Sequence, residues 1–344
     1  THDRPIHVAC DDSVVRELDG EMVPLRRARG YAPMPIPAGA PDSEDRDAPV
    51  VLAVGGELKN TVALAVGDRA HVSQHVGDLA NLATLDAFEQ QVGDLSRFHE
   101  VEPDVVVADL HPDYLGTRWA RRHHSDRLRL VQHHHAHVAA VMAEHRLDPA
   151  RPVLGIACDG TGYGTDGTNW GGEVLLADAS GFERIAHLDR FLLPGGEAAV
   201  REPWRTALSL LHHADVTEAD DLPPASVATP AERALIIRQL DRVVACPATS
   251  SMGRLFDGVA SLLGVRHRVT FEAHAAIELE IVAGRAPVAP APSLPPLRLG
   301  DDGVISFDET VRSLVDGVRS GVPVEVLAAG FHDAVVDVVD AVVD

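Results

Sequence analysis

The chain has 344 residues, of which 45% are hydrophobic, and it carries a formal net charge of −22. A chain of this length can bury a large core and is expected to form two lobes or domains. The strongly acidic balance argues against nucleic acid as a partner. The three cysteines lie far apart without CxxC spacing, which argues against a disulfide framework and a Cys-ligated zinc. No apolar run reaches the roughly 18 residues of a membrane helix, so we expect a cytoplasmic protein that binds no membrane.

The first 36 residues hold few apolar positions and lack the pattern of a complete domain. The segment that follows them is rich in Pro, Gly and Asp, a composition typical of a linker. We therefore interpret residues 1–36 as the tail of a preceding domain, residues 37–49 as a linker, and residues 50–344 as the main body of the chain.

Residues 50–150 predict a mixed arrangement of strands and helices. Three short apolar stretches, separated by GGELKN and GDR, are typical of consecutive antiparallel strands. A helix is predicted at 82–97 and a strand at 105–110, followed by a helix, the strand LRLVQ and a helix rich in histidine. The predicted order is therefore β-β-β-α-β-α-β-α.

The same opening is repeated after residue 150. Three further strands are predicted in PVLGIACDG, NWGGEVLLAD and FERIAHLDRF. Two halves that open alike predict an internally duplicated α/β fold with two lobes, 50–150 and 151–344, and a nucleotide in the cleft between them. This is the architecture of actin, the sugar kinases and the Hsp70 ATPases, and architecture alone does not decide function.

The remaining segments predict mostly helices. One begins near Pro203, and another carries Asp257 and is expected to be capped by Thr249 or Ser250. The segment TFEAHAAIELEIVAGR predicts a further helix. A strand is expected at 304–307, and the chain ends in the apolar helical pattern VEVLAAGFHDAVVDVVDAVVD.

A candidate metal site is indicated by the spacing of two histidines. His133 and His137 are four residues apart, so a helix places both imidazoles on one face. Asp159 follows an apolar strand, and two imidazoles with a carboxylate suit iron or zinc with open positions. His134 and His135 point elsewhere and are expected to solvate the entry turn. Histidine-rich helix starts without a metal also occur, and spacing alone leaves that alternative open.

Four glycines follow Asp159 within nine residues. Gly160, Gly162, Gly164 and Gly167 can adopt positive φ and turn their N–H groups toward an anion or carbonyl. The alternative is a hairpin turn joining two strands.

Six motifs in this order resemble the carbamoyltransferase HypF family of nickel–iron hydrogenase maturation. They are GGELKNT, SQHVGDL, VQHHHAH, DGTGYGTDGTNWGGE, LPGGEAAVREPWR and SMGRLFDGVASLLG. The matching part resembles the C-terminal carbamoyl-transfer domain, and residues 1–36 resemble the tail of the YrdC-like domain. The resemblance implies further domains before Thr1 and a late metal-binding aspartate after Asp344, so we expect a fragment. Ala273 departs from the pattern, since family members usually carry Gly there.

The resemblance also implies substrates, partners and site residues. Such proteins use carbamoyl phosphate and ATP to make carbamoyl adenylate, and they transfer the carbamoyl group to the C-terminal cysteine of HypE. The implied cofactor is an iron or zinc ion, with magnesium for the adenylation step in the absent domain. The implied metal ligands are His133, His137 and Asp159, the last also catalytic. Nucleotide or adenylate contacts are assigned to Lys59, Asn60, Gly160, Thr161, Gly162, Tyr163, Gly164 and, at the ribose, Asp257.

Two alternative functions are also compatible with the sequence. An O-carbamoyltransferase of antibiotic tailoring would share the chemistry but use a small hydroxyl acceptor. A nucleotide-binding module without turnover would bind carbamoyl-AMP analogues and transfer nothing.

Overall fold

A computed structural model describes Asp3, Val8 and residues 10–38, 48–217, 219–287 and 294–344. Most of the predicted linker lies outside these residues. The chain divides into two compact units, Thr1–Arg151 with Asp178–Ser180, and Pro152–Ala177 with Gly181–Asp344. The assignment of residues 1–36 to a separate domain stays a prediction.

Within its described residues, the first unit contains a two-stranded sheet, a six-stranded sheet and three helices. Its strands are β1 (Val14–Leu18), β2 (Glu21–Arg26), β3 (Ile36–Pro37), β4 (Val51–Ala53), β5 (Ala63–Val66), β6 (Arg69–Val72), β7 (Val105–Asp109) and β8 (Leu128–Val131), and its helices are α1 (Leu82–His99), α2 (Leu115–His123) and α3 (His133–Glu144). The larger sheet has the order β3-β6-β5-β4-β7-β8. Strands β4, β5 and β6 form an antiparallel meander, while β7 and β8 run parallel to β4.

The parallel pair β7 and β8 determines where polar groups of this unit collect. Asp109, the last residue of β7, lies opposite Val131, the last residue of β8. Because parallel strands end at the same edge of a sheet, Asp109 lies beside the start of α3, two residues after Val131. The sheet itself is anchored by fully buried apolar side chains, including Leu52, Leu64 and Val106.

The second unit also opens with three antiparallel strands. Its strands are β9 (Val153–Tyr163), β10 (Asn169–Ala177), β11 (Phe182–Leu188), β12 (Phe191–Leu192), β13 (Ala248–Thr249), β14 (Arg298–Leu299) and β15 (Val304–Ser306), and its helices are α4 (Glu197–Arg201), α5 (Pro203–His213), α6 (Pro230–Arg242), α7 (Met252–Leu262), α8 (His274–Ala283), α9 (Asp308–Arg319) and α10 (Val324–Val343). The sheet order is β12-β13-β10-β11-β15-β14, and β9 pairs with β10. Helices α5, α7 and α8 pack together, with Trp204 and Leu255 in their core.

The predicted α/β class and the three opening strands of each half are confirmed. The order β-β-β-α-β-α-β-α is confirmed for residues 51–144. The expected cap of α7 was wrong, because the cap is Ser251, whose hydroxyl accepts from the N–H of Arg254. Thr249 lies in β13, and the Ser250 hydroxyl donates to Glu173. Within the described ranges, no helix combines the length and apolar character needed to cross a membrane.

Candidate functional site

Two histidines converge at the start of α3 in the first unit. The side chain of Gln132 caps this helix by accepting the N–H of His135. The Nε2 atoms of His133 and His137 lie 3.2 Å apart. Their rings are nearly perpendicular, with centroids 4.8 Å apart. The i, i+4 spacing therefore brings the two imidazoles together, as the sequence predicted.

Asp109 orients the first of these histidines. Its Oδ2 lies 2.7 Å from Nδ1 of His133. Its Oδ1 accepts the N–H of His111 at 2.8 Å, which fixes the carboxylate at the end of β7. Since a carboxylate accepts, Nδ1 of His133 carries the proton, and the lone pair of the neutral ring is left on Nε2. A carboxylate behind a histidine is the usual support for a metal ligand.

The separation of the two Nε2 atoms fits a shared ion. Two nitrogens that bind one zinc at about 2.0–2.1 Å with an angle of roughly 100° between them lie about 3.2 Å apart. The same separation also permits one N–H···N hydrogen bond. The donor chemistry, with His133 oriented through Nδ1, therefore suits a metal that takes imidazole ligands.

The expectation that His134 and His135 solvate the entry turn was wrong. His134 is fully buried, and its Nδ1 lies 3.0 Å from the Gln132 amide. His135 is half-buried, and its Nε2 lies 2.7 Å from the carbonyl of Asp178. Both side chains hold the start of α3 in place, because the turn before the helix is packed against the rest of the unit.

Lys59 and Asn60 lie between β4 and β5, with different surroundings. Lys59 is exposed, and its N–H donates to Asp78. Asn60 is buried, and its amide donates to the carbonyls of Val54 and Gly56 at 2.8 and 2.7 Å. The Asn60 side chain thus holds the GGELKN turn together, and the nucleotide contacts assigned to both residues stay predictions.

Asp159 belongs to the second unit, within β9. Its Oδ1 accepts the N–H of Gly160 at 2.6 Å. The Ser251 hydroxyl lies 2.9 Å from the Asp159 carbonyl and 2.7 Å from that of Gly160. The start of α7 therefore fixes the backbone on which this carboxylate stands.

The expectation of a loop with positive φ at Gly160, Gly162 and Gly164 was wrong. Residues 160–163 continue β9, where Gly162 and Tyr163 pair with β10, and of the four glycines Gly167 alone has positive φ, at +77°. The segment is the hairpin of the alternative interpretation. Close contact is what requires glycine at position 164, since a Cβ there would come within 2.2 Å of Trp170 Nε1.

A buried ionic network behind the hairpin was not predicted. Glu173 is almost fully buried and accepts Nε of Arg184 at 2.5 Å and the Ser250 hydroxyl at 2.6 Å. The Arg184 guanidinium lies 4.0 Å over the ring of Trp170, whose Nε1 donates to Asp166. The NWGGE sequence contained a signal, because a glutamate inside an apolar strand needs a cation.

Asp257 is buried on α7, beside Arg254. The Arg254 Nη1 lies 2.9 Å from Oδ2 of Asp257. Burial raises the pKa of Asp257 to about 6, although the guanidinium acts in the opposite direction. The carboxylate is therefore held inside the second unit, and its predicted contact with a ribose stays a prediction.

Comparison with known proteins identifies relatives over most of the chain. Two family models match, the HypF Kae1-like domain at residues 46–144 and the second subdomain of the carbamoyltransferase Kae1-like domain at residues 155–344. The chain is 46% identical to carbamoyltransferase HypF2 of Cupriavidus necator, over 86% of this chain and 36% of that protein. It is 45% identical to carbamoyltransferase HypF of a Synechocystis species, over 81% of this chain and 37% of the relative.

A solved structure of full-length HypF in the phosphate- and nucleotide-bound form matches with a TM-score of 0.88 and 38% identity, over 99% of this chain and 52% of that one. The chain thus spans little more than a third of the length of these curated relatives. Since the second family model alone covers more than half of the residues, the chain belongs to the HypF carbamoyltransferase family.

Proposed function

We propose that this chain transfers a carbamoyl group from carbamoyl adenylate to the thiol of the C-terminal cysteine of HypE, in nickel–iron hydrogenase maturation. The observation that carries the proposal is the His133–His137 pair with Asp109 behind it. Such a pair suits a metal that takes imidazole ligands, in a chain whose curated relatives are named carbamoyltransferases.

The metal ligands in this proposal are His133, His137 and Asp159. Two nitrogens and one oxygen suit zinc or iron and leave positions open for a substrate. An ion held there would polarise the carbamoyl carbonyl or bind a phosphate oxygen. Asp109 keeps the lone pair of His133 on Nε2, and the N–H of Gly160 holds one oxygen of Asp159.

The transfer step exchanges one bond to the carbamoyl carbon for another. The thiolate sulfur attacks that carbon, the C–S bond forms, and the C–O bond to the phosphate breaks. AMP leaves with the electron pair of that bond, so no oxidant or reductant is needed. This chain need not supply a nucleophile, because the thiol belongs to the acceptor.

The nucleotide contacts in this proposal come from several segments. The adenylate would be contacted by Gly160, Thr161, Gly162, Tyr163 and Gly164, at the end of β9 and just after it, and Asp257 would hold the ribose. Lys59 and Asn60 complete the proposed set. Formation of the adenylate from carbamoyl phosphate and ATP with magnesium is assigned to the part of the longer relatives that this chain does not cover, and the setting is the cytoplasm.

A transfer assay tests the proposal. The chain, loaded with zinc or iron, is mixed with carbamoyl adenylate and a peptide ending in the HypE cysteine, and mass spectrometry follows the gain of one carbamoyl group. We expect carbamoylation of the cysteine peptide and none of a matched serine peptide. Transfer to a small hydroxyl acceptor instead would favour an O-carbamoyltransferase, and binding of the adenylate without any transfer would favour a nucleotide-binding module.

A further inference from the structure

The first turn of α7 is packed directly against the strand segment that follows Asp159. Ser251, the cap of this helix, contacts the carbonyls of Asp159 and Gly160. A Cβ on Gly253 would come within 2.8 Å of the Gly160 Cα. The side chain of the next residue, Arg254, is therefore held in a fixed place beside Gly160.

Arg254 is a buried cation with one carboxylate partner and with hydrogen-bond donors that this partner does not use. It is 8% exposed, and its Nη1 forms an ion pair with Asp257. Its Nη2 lies 3.4 Å from where a Cβ of Gly160 would stand. Its Nε is buried without a hydrogen-bond partner within the part of the chain that the structure describes. A guanidinium has five N–H donors, and buried donors are nearly always satisfied.

Arg184, in the same unit, shows what a structural buried arginine looks like here. Its Nε and Nη2 both contact Glu173, and Nη2 also contacts the Ser250 hydroxyl. The face of its guanidinium lies over Trp170. Burial alone therefore does not leave the hydrogen-bond donors of a guanidinium unsatisfied. The spare donor capacity of Arg254 is a local feature of the segment beside Gly160.

We propose that Arg254 binds the phosphate of a nucleoside monophosphate that lies against residues 160–163. This inference rests on the proposed function, since it assigns the phosphate of that adenylate. The planar fork of arginine matches phosphate oxygens, and such charge-assisted hydrogen bonds are strong. The same contact stabilises the charge that builds up on the phosphate when AMP leaves. Arg254 thus selects phosphorylated nucleosides over nucleosides, while Asp257, one turn later on α7, serves the ribose.

The experiment compares AMP with adenosine by calorimetry on the whole chain, with chelator present so that no metal contributes to phosphate binding. Wild type should bind AMP more tightly than adenosine. Arg254→Gln removes the charge but can still donate to Asp257. It should weaken AMP binding at least tenfold, about 1.4 kcal/mol, and change adenosine binding less than threefold. Arg254→Lys keeps the charge without the fork and should retain an intermediate preference. Asp257→Asn is the contrast, and it should weaken both ligands.

Four outcomes would overturn the role of Arg254. One is a glutamine variant that keeps the wild-type preference for AMP. Another is a parallel loss of both ligands in that variant, which would make the residue merely structural. The third, decisive if the glutamine variant does not fold by circular dichroism, is a folded lysine variant with an unchanged preference. Equal binding of AMP and adenosine by the wild-type protein would also refute the proposed role of Arg254, and the proposed nucleotide site would still stand. Binding of neither ligand, with or without zinc, refutes the proposed function itself.

Discussion

Asp109 and Asp159 are both carboxylates delivered by buried strands, yet their surroundings differ. Asp109 accepts one backbone N–H and the Nδ1–H of His133, so its charge is used to orient a neighbouring side chain. Asp159 accepts the N–H of Gly160, on a backbone fixed by the Ser251 hydroxyl of α7. A strand end supplies a carboxylate at a defined position, and the groups around that carboxylate decide whether it orients a neighbouring side chain, as Asp109 does.

The two regions also differ in how they are held. Around α3, polar contacts such as that of the His135 ring with the carbonyl of Asp178 are only partly buried. Around β9 and α7, the contact of the Ser250 hydroxyl with Glu173 is fully buried. We therefore expect substitutions in the first region to change ligand affinity with little change in stability. Substitutions in the second region should change stability as well.

The largest expected effect is the loss of metal affinity when one of the three proposed metal ligands is replaced. His133→Ala, His137→Ala and Asp159→Ala should each weaken zinc or iron binding by more than about 100-fold, since each removes one ligand of the ion. His135→Ala is the matched control and should keep the metal within about threefold. Metal-to-protein ratio at controlled free metal is the measurement. Equal loss in the control would mean that the histidines form a structured helix start and not a metal site.

A smaller loss of metal affinity is expected when Asp109, which orients His133, is replaced and the proposed metal ligands are kept. Asp109→Asn can no longer accept the Nδ1–H of His133 as a carboxylate, so metal affinity should fall by about 10–100-fold. The melting temperature should change little, because the contact lies at the edge of its sheet. Asp113→Asn, at an exposed aspartate four residues later, is the control. Wild-type affinity in the Asp109 variant would show that the carboxylate does not orient the ligand.

Local signals in the sequence predicted much of this molecule, and long-range contacts were the part that escaped. The histidine spacing gave the Nε2 pair, because helical pitch is a local property. The partner of His133 could not be derived in that way, since Asp109 approaches it only through the pairing of β7 with β8. The glycine segment was misjudged for the same reason. The pairing of Gly162 and Tyr163 with β10 keeps this end of β9 extended, although glycine permits other conformations.

The buried pair on α7 predicts a dependence of stability on pH. The pKa of Asp257 is raised to about 6 by burial, above the unfolded value of about 3.9. The unfolded chain thus loses this proton more easily. The contribution of Asp257 to the free energy of unfolding is therefore most favourable below pH 4 and declines as pH rises through 6. Between pH 5 and 7 the loss is about 1 kcal/mol.

Asp257→Asn should remove this part of the slope in urea unfolding measured at pH 5 and pH 7. The exposed Asp316 on α9 provides a control, since Asp316→Asn should keep the wild-type slope. An unchanged slope in the Asp257 variant would place the carboxylate in contact with water. Asp257 would then no longer be a buried charge that distinguishes the second unit from the first.

The smallest expected effect concerns the backbone of the second region. Ala273, the cap of α8, has φ of +59°. A left-handed residue with a Cβ costs about 1–2 kcal/mol, and glycine loses about 0.5–1 kcal/mol more entropy on folding than alanine. Ala273→Gly should therefore raise the free energy of unfolding by about 0.5 kcal/mol, whereas Ala276→Gly inside α8 should lower it by about 1 kcal/mol. Because α8 packs on α7, the gain belongs to the second unit, and metal affinity at His133 should not change. Destabilisation by glycine at position 273 would mean that the left-handed alanine is not strained.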